Sequence, residues 1–304
     1  MIKHKISVLG LWRDSEEHIE KTLKFLEDIQ SEADFSYYFY ENDSIDGTKY
    51  ILKDWLSSRK GDMLSETMSL PKFGSVMNVE RLMLLAYYRN RCASQIKDVD
   101  TEYTLMIDTD VEFTKKDFSV LLSKMVELDC VMAIANTRQP QVKDLVTGLS
   151  EDSFYDVGCL RDTYFNTALF FSDCPLILEK DRDDWYAGKP VKISAGFSGF
   201  ALVKTEALKK CRWSTQGAIE HVNFCSELRE FGDIYIVREC QPKTYFNASS
   251  VDMSVFPAMG QNGLLGMEQA HRVASVCAAE NPSELTKIVT GLRGHHSLSD
   301  ETIY

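Results

Sequence analysis

Tyr103-Thr-Leu-Met-Ile-Asp-Thr-Asp-Val-Glu112 places five β-branched, aromatic or apolar residues directly before two carboxylates. A run of this kind reads as a strand buried on both faces of a sheet. Residues i and i+2 of an extended chain point to the same side, so Asp108 and Asp110 can converge on one point. Open α/β sheets bind ligands at the carboxyl ends of their strands, and two carboxylates there suit a hard divalent cation that also holds phosphate oxygens. The same residues also fit a strand followed by an Asp-rich turn that caps a helix, because Asp117 and the apolar run Phe118 to Leu122 open a helical pattern.

Working outward, Lys5-Ile-Ser-Val-Leu-Gly-Leu-Trp12 reads as the first strand and Arg13-Asp-Ser-Glu-Glu as its exit, with Asp14 or Ser15 as N-cap. Ile19, Leu23, Leu26 and Ile29 recur at helical spacing, so the next helix packs one face on a sheet. Phe35 to Tyr40 is a second strand, ending in the polar turn Glu41-Asn-Asp-Ser-Ile-Asp-Gly-Thr48, and a helical pattern follows through Trp55 and Leu56. Two strand–turn–helix units in succession predict a doubly wound, mostly parallel sheet with helices on both faces. Leu64 to Gly74 reads as irregular, Val79 to Cys92 as a helix carrying Arg81, Arg89 and Arg91, and Cys130 to Ala135 as a strand.

After about residue 136 the alternation loosens. Arg138 to Lys192 is long and aromatic-rich, Ile193 to Val203 reads as one glycine-punctuated strand, Glu220 to Arg229 as a helix and Ile234 to Arg238 as a short strand. No repeat or linker divides the chain. We expect a single domain over 1–304, with a nucleotide-binding half (1–136) and an acceptor-shaping half with a C-terminal tail (137–304).

The net charge of −12 argues against nucleic-acid binding and requires local help from a metal, arginines or backbone amides for any anionic ligand. Eight cysteines form no CxxC pair and sit in apolar segments, as expected of reduced core thiols in a cytoplasmic protein. No apolar run reaches a membrane span of roughly 18 residues, and Ile6 to Trp12 is too short for a signal peptide.

On this sheet, Leu11 and Arg13, then Glu41, Asn42 and Asp43, then Asp108 and Asp110 all arrive at carboxyl ends of strands. The first two groups can read a base and ribose, and the third can hold a metal bridging two phosphates. That is the layout of a nucleoside-diphosphate-sugar site. The sequence also resembles a known family. Glu41-Asn-Asp-Ser-Ile-Asp-Gly-Thr48 is similar to the Glu-Asn-Asn/Asp-Ser-x-Asp-Gly-Thr turn of GT-A glycosyltransferases, and Asp108-Thr-Asp110 to their DXD motif. Phe154-Tyr-Asp and Arg161-Asp162 resemble a block of the cryptococcal α-1,3-mannosyltransferase family of capsule enzymes. Ser194 to Val203 falls where that family has a small-residue strand on the acceptor side, and Glu220-His221 where GT-A enzymes often carry an acidic residue near the acceptor.

The resemblance spans residues 5 to 245. It implies a GT-A (Rossmann-like) fold, a Mn²⁺ or Mg²⁺ ion, and hexose transfer from a GDP- or UDP-sugar to a glycan acceptor hydroxyl. Mannose from GDP-mannose, transferred with retention, is the specific expectation. The metal ligands are then Asp108 and Asp110, with Asp108 also bridging to the ribose. Arg13, Glu41 and Asn42 bind base or ribose, against a plain turn-capping role. Arg89 neutralises the diphosphate, or is a solvated arginine on a helix face. Glu220 and Asp162 are the catalytic candidates. Glu220 could instead be an ordinary helix-start glutamate, and Asp162 a structural partner of Arg161. Gly196 and Gly199 allow close approach of a sugar, or mark a bulge. His221, His295 and His296 are candidate third metal ligands, each with a structural alternative.

Two rivals stand beside this reading. A haloacid-dehalogenase-type phosphatase would use Asp108 as nucleophile. Its motif continues to Thr or Val two residues beyond the second aspartate, where this chain has Glu112, and opens its domain, whereas two βα units come first here. The other is a non-catalytic sugar-binding module, against which the intact acidic pair argues.

Overall fold

The computed structural model describes residues 3–70, 72, 79–143, 150–168, 173–215 and 219–244. In chain order the first half gives β1 (Lys5–Trp12), α1 (Glu16–Asp28), β2 (Asp34–Asn42), α2 (Thr48–Leu56), β3 (Gly61–Glu66), α3 (Val79–Ser94), β4 (Tyr103–Asp108), β5 (Val111–Glu112), α4 (Lys115–Glu127) and β6 (Met132–Ala135). The second half gives β7 (Arg138–Lys143), β8 (Ser150–Phe154), α5 (Glu179–Tyr186), β9 (Val191–Ile193), β10 (Phe200–Lys204), α6 (Thr205–Leu208), α7 (Glu220–Leu228), β11 (Ile234–Val237) and β12 (Lys243–Thr244).

An eight-stranded sheet runs in the order β3-β2-β1-β4-β10-β6-β11-β9. Its first four strands are parallel neighbours, as are β6 and β11, whereas β10 is antiparallel to both β4 and β6, and β9 to β11. A strand from the second half of the chain is thus wedged between two from the first half.

The interior strands alternate between two cores. On β4, Tyr103, Leu105 and Ile107 pack with α1, α2 and α4, and Met106 packs with α3 on the other face. On β10, Phe200 and Leu202 face the first core and Ala201 and Val203 the second. Burial on both faces explains the unbroken apolar runs and gives the expected doubly wound, mostly parallel arrangement.

Local chemistry fixes the elements. Glu16 and Glu17 occupy the first turn of α1 and Ile19, Leu23 and Leu26 its buried stripe. α4 begins one turn earlier than its apolar run suggests: Thr114 is the N-cap and Asp117 closes a capping box with it. The stretch expected as one strand from Ile193 to Val203 is two, β9 and β10, because Ser198 (φ 57°) and Gly199 (φ 74°) turn the chain between them. β3 lies partly inside the stretch read as irregular. It is a half-exposed edge strand with little apolar signal. The aromatic-rich region contributes β7 and β8 to a second sheet, β5-β12-β7-β8.

All seven described cysteines are unpaired and buried. Among the described residues no helix is long and apolar enough to cross a membrane.

Candidate active site

Register brings the strand ends together. Leu11 of β1 lies beside Asp108 of β4, and Trp12 beside Glu41 of β2. A cavity of about 450 Å³ opens above these ends. Arg13 and Asn42 line it at the carboxyl ends of β1 and β2, and Asp108, Thr109 and Asp110 at that of β4. Arg81, Leu84, Leu85, Tyr88 and Arg89 line it from one face of α3, at the three- and four-residue spacing that puts side chains on one stripe. Tyr155, just after β8, closes another side.

The acidic pair is crowded. Burial, and then the neighbouring Asp108 carboxylate, push the Asp110 carboxyl up to about 7, against the opposing pull of Arg81 and Arg89. A doubly charged cation between the two would offset both costs. Among the described residues no cluster of three His, Cys, Asp or Glu side chains is assembled. Two carboxylates facing an open cavity match the way Mg²⁺ and similar ions are held when water and substrate phosphates complete the shell.

Arg89 is not a solvated helix arginine. Its side chain is only 11% exposed, with Nη2 3.4 Å from Asp108 Oδ1 and Nε 3.6 Å from Glu220 Oε1. Burial alone would lower its pKa; Asp108 and Glu220 outweigh that and raise it.

Glu220 does not line the cavity. It lies behind Arg89, 3% exposed, at the first position of α7, and among the described residues its Oε2 has no hydrogen-bond partner. A helix start should lower a carboxylate's pKa. Here burial wins over Arg89 and the backbone, and the shift is upward.

Other expected site residues have structural employment. Glu41 accepts from the Ser44 N–H (3.0 Å) and from the Ser65 hydroxyl (2.6 Å). Asp43 accepts from the N–H groups of Met68, Ser69 and Leu70. Asp14, Ser15 and Glu16 bind Ile45, Thr48 and Gly47 in turn. The Glu41–Thr48 turn is therefore knotted to the start of α1, and of its first two residues only Asn42 faces the cavity.

Asp162 is not among the residues that line this cavity. It is buried, and its carboxylate accepts from the N–H groups of Tyr164 and Asn166 and from the Asn166 amide. It builds the turn that presents Tyr164 and Phe165 to solvent. Arg161 is not its ion-pair partner: that guanidinium donates to the carbonyls of Gly158 and Leu160.

His221 is a core residue. Its ring stacks on Phe197 and its Nδ1 accepts from Trp213 Nε1. His295 and His296 lie outside the described residues.

A side chain on Gly196 or Gly199 would meet close neighbours. A Cβ on Gly199 would come 2.6 Å from Val111 Cγ2 and 3.4 Å from the Asp108 Cβ, and a Cβ on Gly196 2.5 Å from Ile134 Cδ1. The Gly199 carbonyl accepts from the Asp108 N–H at 2.8 Å, so this glycine also sets the backbone of the acidic pair. Gly199→Ala is expected to cost about 1–3 kcal/mol in thermal or chemical denaturation, from positive φ and the contact with Val111. An unchanged midpoint would show that the segment relaxes freely.

Two neighbours of the site had no role in the sequence reading. Tyr155 lines the cavity. Asp156 follows it in the left-handed region (φ 63°), and burial, with Asp108 and Glu220 adding to it, pushes its carboxyl up to about 7. The motif Phe154-Tyr-Asp156 carried the signal, but nothing in its spacing tied it to β4.

No protein-family profile and no curated protein matches the chain. Solved structures do. The chain is similar to GalNAc-T7 with UDP, GalNAc and Mn²⁺ (TM-score 0.56, 12% identity), where 96% of this chain covers 55% of that one. It is also similar to the mannosyltransferase PcManGT from Pyrobaculum calidifontis in complex with GDP-Man and Mn²⁺ (TM-score 0.53, 11% identity), where 97% of this chain covers 75% of that one. This chain thus spans just over half the length of GalNAc-T7. At such identities the likeness is one of fold, and the fold is GT-A.

Proposed function

We propose that the chain is a divalent-cation-dependent glycosyltransferase that moves a hexose from a nucleoside-diphosphate sugar to a glycan hydroxyl. The observation that carries this is the Asp108/Asp110 pair at the carboxyl end of β4, facing a cavity whose other walls are the ends of β1 and β2 and the arginine-bearing stripe of α3. Mn²⁺ or Mg²⁺ would be held by Asp108 and Asp110 and would stabilise charge on the departing diphosphate. Arg81 and Arg89 add positive charge at the same wall, which a chain of net charge −12 needs in order to bind an anion. Asn42 and Arg13 face the base and ribose. The Mn²⁺ and nucleotide named in both neighbouring complexes support this reading.

Mannose from GDP-mannose is the donor we favour, on the sequence resemblance and on the GDP-Man of one neighbour. Retention is the stereochemistry we favour, because Glu220 is sealed behind Arg89 instead of facing an acceptor. The test is incubation with a panel of GDP- and UDP-sugars and Mn²⁺, alongside a generic phosphomonoester. Sugar transfer or sugar-nucleotide hydrolysis that stops in EDTA is expected; phosphomonoester turnover alone would reject the proposal.

Asn42→Ala should raise the donor KM several-fold while leaving kcat within about twofold, since a base or ribose contact is equal in ground and transition states. A loss confined to kcat would remove Asn42 from donor binding.

A further inference from the structure

Arg89 sits on a column of rings. Its guanidinium carbon lies 4.8 Å from the centre of the Phe197 ring. On the other side of Phe197 the His221 imidazole stacks at 4.1 Å and 16°. His221 Nδ1 takes a hydrogen bond from the Trp213 indole at 3.4 Å. Trp213 stacks on Phe224 at 4.0 Å and 4°. Its backbone is then held from both sides by one side chain, that of Asn90: Trp213 N–H donates to Asn90 Oδ1 (3.0 Å), and Asn90 Nδ2 donates to Trp213 O (2.8 Å). Asn90 is the residue after Arg89 on α3. The contacts therefore form a closed ring that leaves α3 at Arg89 and returns to it at Asn90.

On the strength of the glycosyltransferase reading, we infer that Phe197, His221 and Trp213 are positioning residues that hold the Arg89 guanidinium against Asp108, so that the arginine meets the donor diphosphate in a fixed pose. Three features favour this over plain core filling. The first is the use made of the arginine. Its two edges point to Asp108 and Glu220 and one face covers Phe197, so the column meets the remaining free dimension of a planar fork.

The second is the histidine. An ordinary core ring in this place would leave the Trp213 N–H without an acceptor, whereas imidazole both stacks and accepts. Accepting at Nδ1 puts the imidazole proton on Nε2, which lies 3.9 Å from Glu220 Oε1 and has no hydrogen-bond partner among the described residues. Burial, and then the charge of Arg89, hold the ring neutral, so it adds no repulsion beside the guanidinium.

The third is Glu220. Its carboxylate meets Arg89 within ion-pair distance, while burial makes its charge costly. A buried carboxylate at ion-pair distance from Arg89 is an arrangement that keeps that guanidinium from swinging. The Glu220-His221 pair then does one job: the first fixes the edge of Arg89 and the second, through Phe197, its face.

The experiment is titration of the full-length protein with GDP and UDP in saturating Mn²⁺, and with guanosine and uridine. Phe197→Leu should weaken the diphosphate that the wild type binds by about tenfold, the scale of a desolvated cation–π contact. Binding of the matching nucleoside should stay within about twofold, because it does not reach Arg89. In an Arg89→Lys background Phe197→Leu should add little, since coupled residues are not additive. Phe197→Trp, which keeps the ring face, should restore most of the loss. Trp213→Phe, which keeps the stack on Phe224 but removes the donor to His221, should show a smaller loss of the same kind and serves if Phe197→Leu does not fold. Equal weakening of nucleoside and diphosphate, or full additivity with Arg89→Lys, would overturn the inference and leave the transferase reading intact. A wild type that binds neither diphosphate with Mn²⁺ would remove both.

Discussion

Asp110→Asn is expected to abolish the Mn²⁺ dependence of nucleotide binding, weaken diphosphate affinity roughly 10- to 100-fold, and lower transfer by about 100- to 1,000-fold. The Asp110 carboxyl is pushed up to about 7, first by burial and then by Asp108. That raised value means the ionised form is costly without a compensating cation. A bound divalent ion reverses the balance, so ion binding and ionisation of Asp110 reinforce each other. Asparagine keeps the shape and removes the charge. The repulsion with Asp108 disappears, so the folded protein should be no less stable, and a loss of activity cannot be ascribed to unfolding. Calorimetry of the diphosphate with and without Mn²⁺ separates the effects. The wild type should bind tightly only with metal, and the variant weakly in both conditions. Full binding by the wild type in EDTA would count against a metal at this site.

The readable parts of this fold are those where one physical constraint dominates. β4 and its two aspartates could be placed because a strand buried on both faces admits few polar residues, so carboxylates at its end stand out. The Glu41–Thr48 turn is equally visible in the sequence, but of its first two residues only Asn42 reaches the cavity. Glu41 is spent on Ser44 and on Ser65 of β3, and Thr48 and Gly47 on the start of α1, and a sequence does not reveal which polar atoms of a turn point inward. Arg81, Arg89 and Arg91 look alike in sequence. Only packing separates them: Arg89 against Asp108 and Glu220, Arg91 against Glu66, and Arg81 on the cavity wall. Asp162 illustrates the same limit, since its three backbone and amide donors come from residues within four positions of it, and no periodicity marks such a turn. β10 was harder still. Its partners β4 and β6 are far away in sequence, and its insertion between them is decided by long-range pairing.

Glu220→Gln should reduce transfer by about 10- to 100-fold and leave the product anomer unchanged. A general base must reach the acceptor proton, within about 3 Å or through one water. Glu220 is 3% exposed, and its Oε1 faces Arg89 Nε at 3.6 Å. The carboxylate is thus committed to the arginine. Its upward pKa shift, caused by burial, would make it a stronger base if it had access, so access decides the question and not basicity. In a retaining reaction the leaving diphosphate oxygen can take the acceptor proton, and the protein supplies charge and alignment. Glutamine keeps the shape but withdraws the charge that opposes Asp108 in the competition for the guanidinium. Arg89 should then lean toward Asp108 and present itself less well to the diphosphate, so the loss should appear in the donor KM as well as in kcat. NMR of the product from an α-linked donor reads the outcome directly. An α-product from both wild type and variant is expected. A β-product from the wild type, together with an inactive Glu220→Gln, would make the reaction inverting and return Glu220 to the role of base.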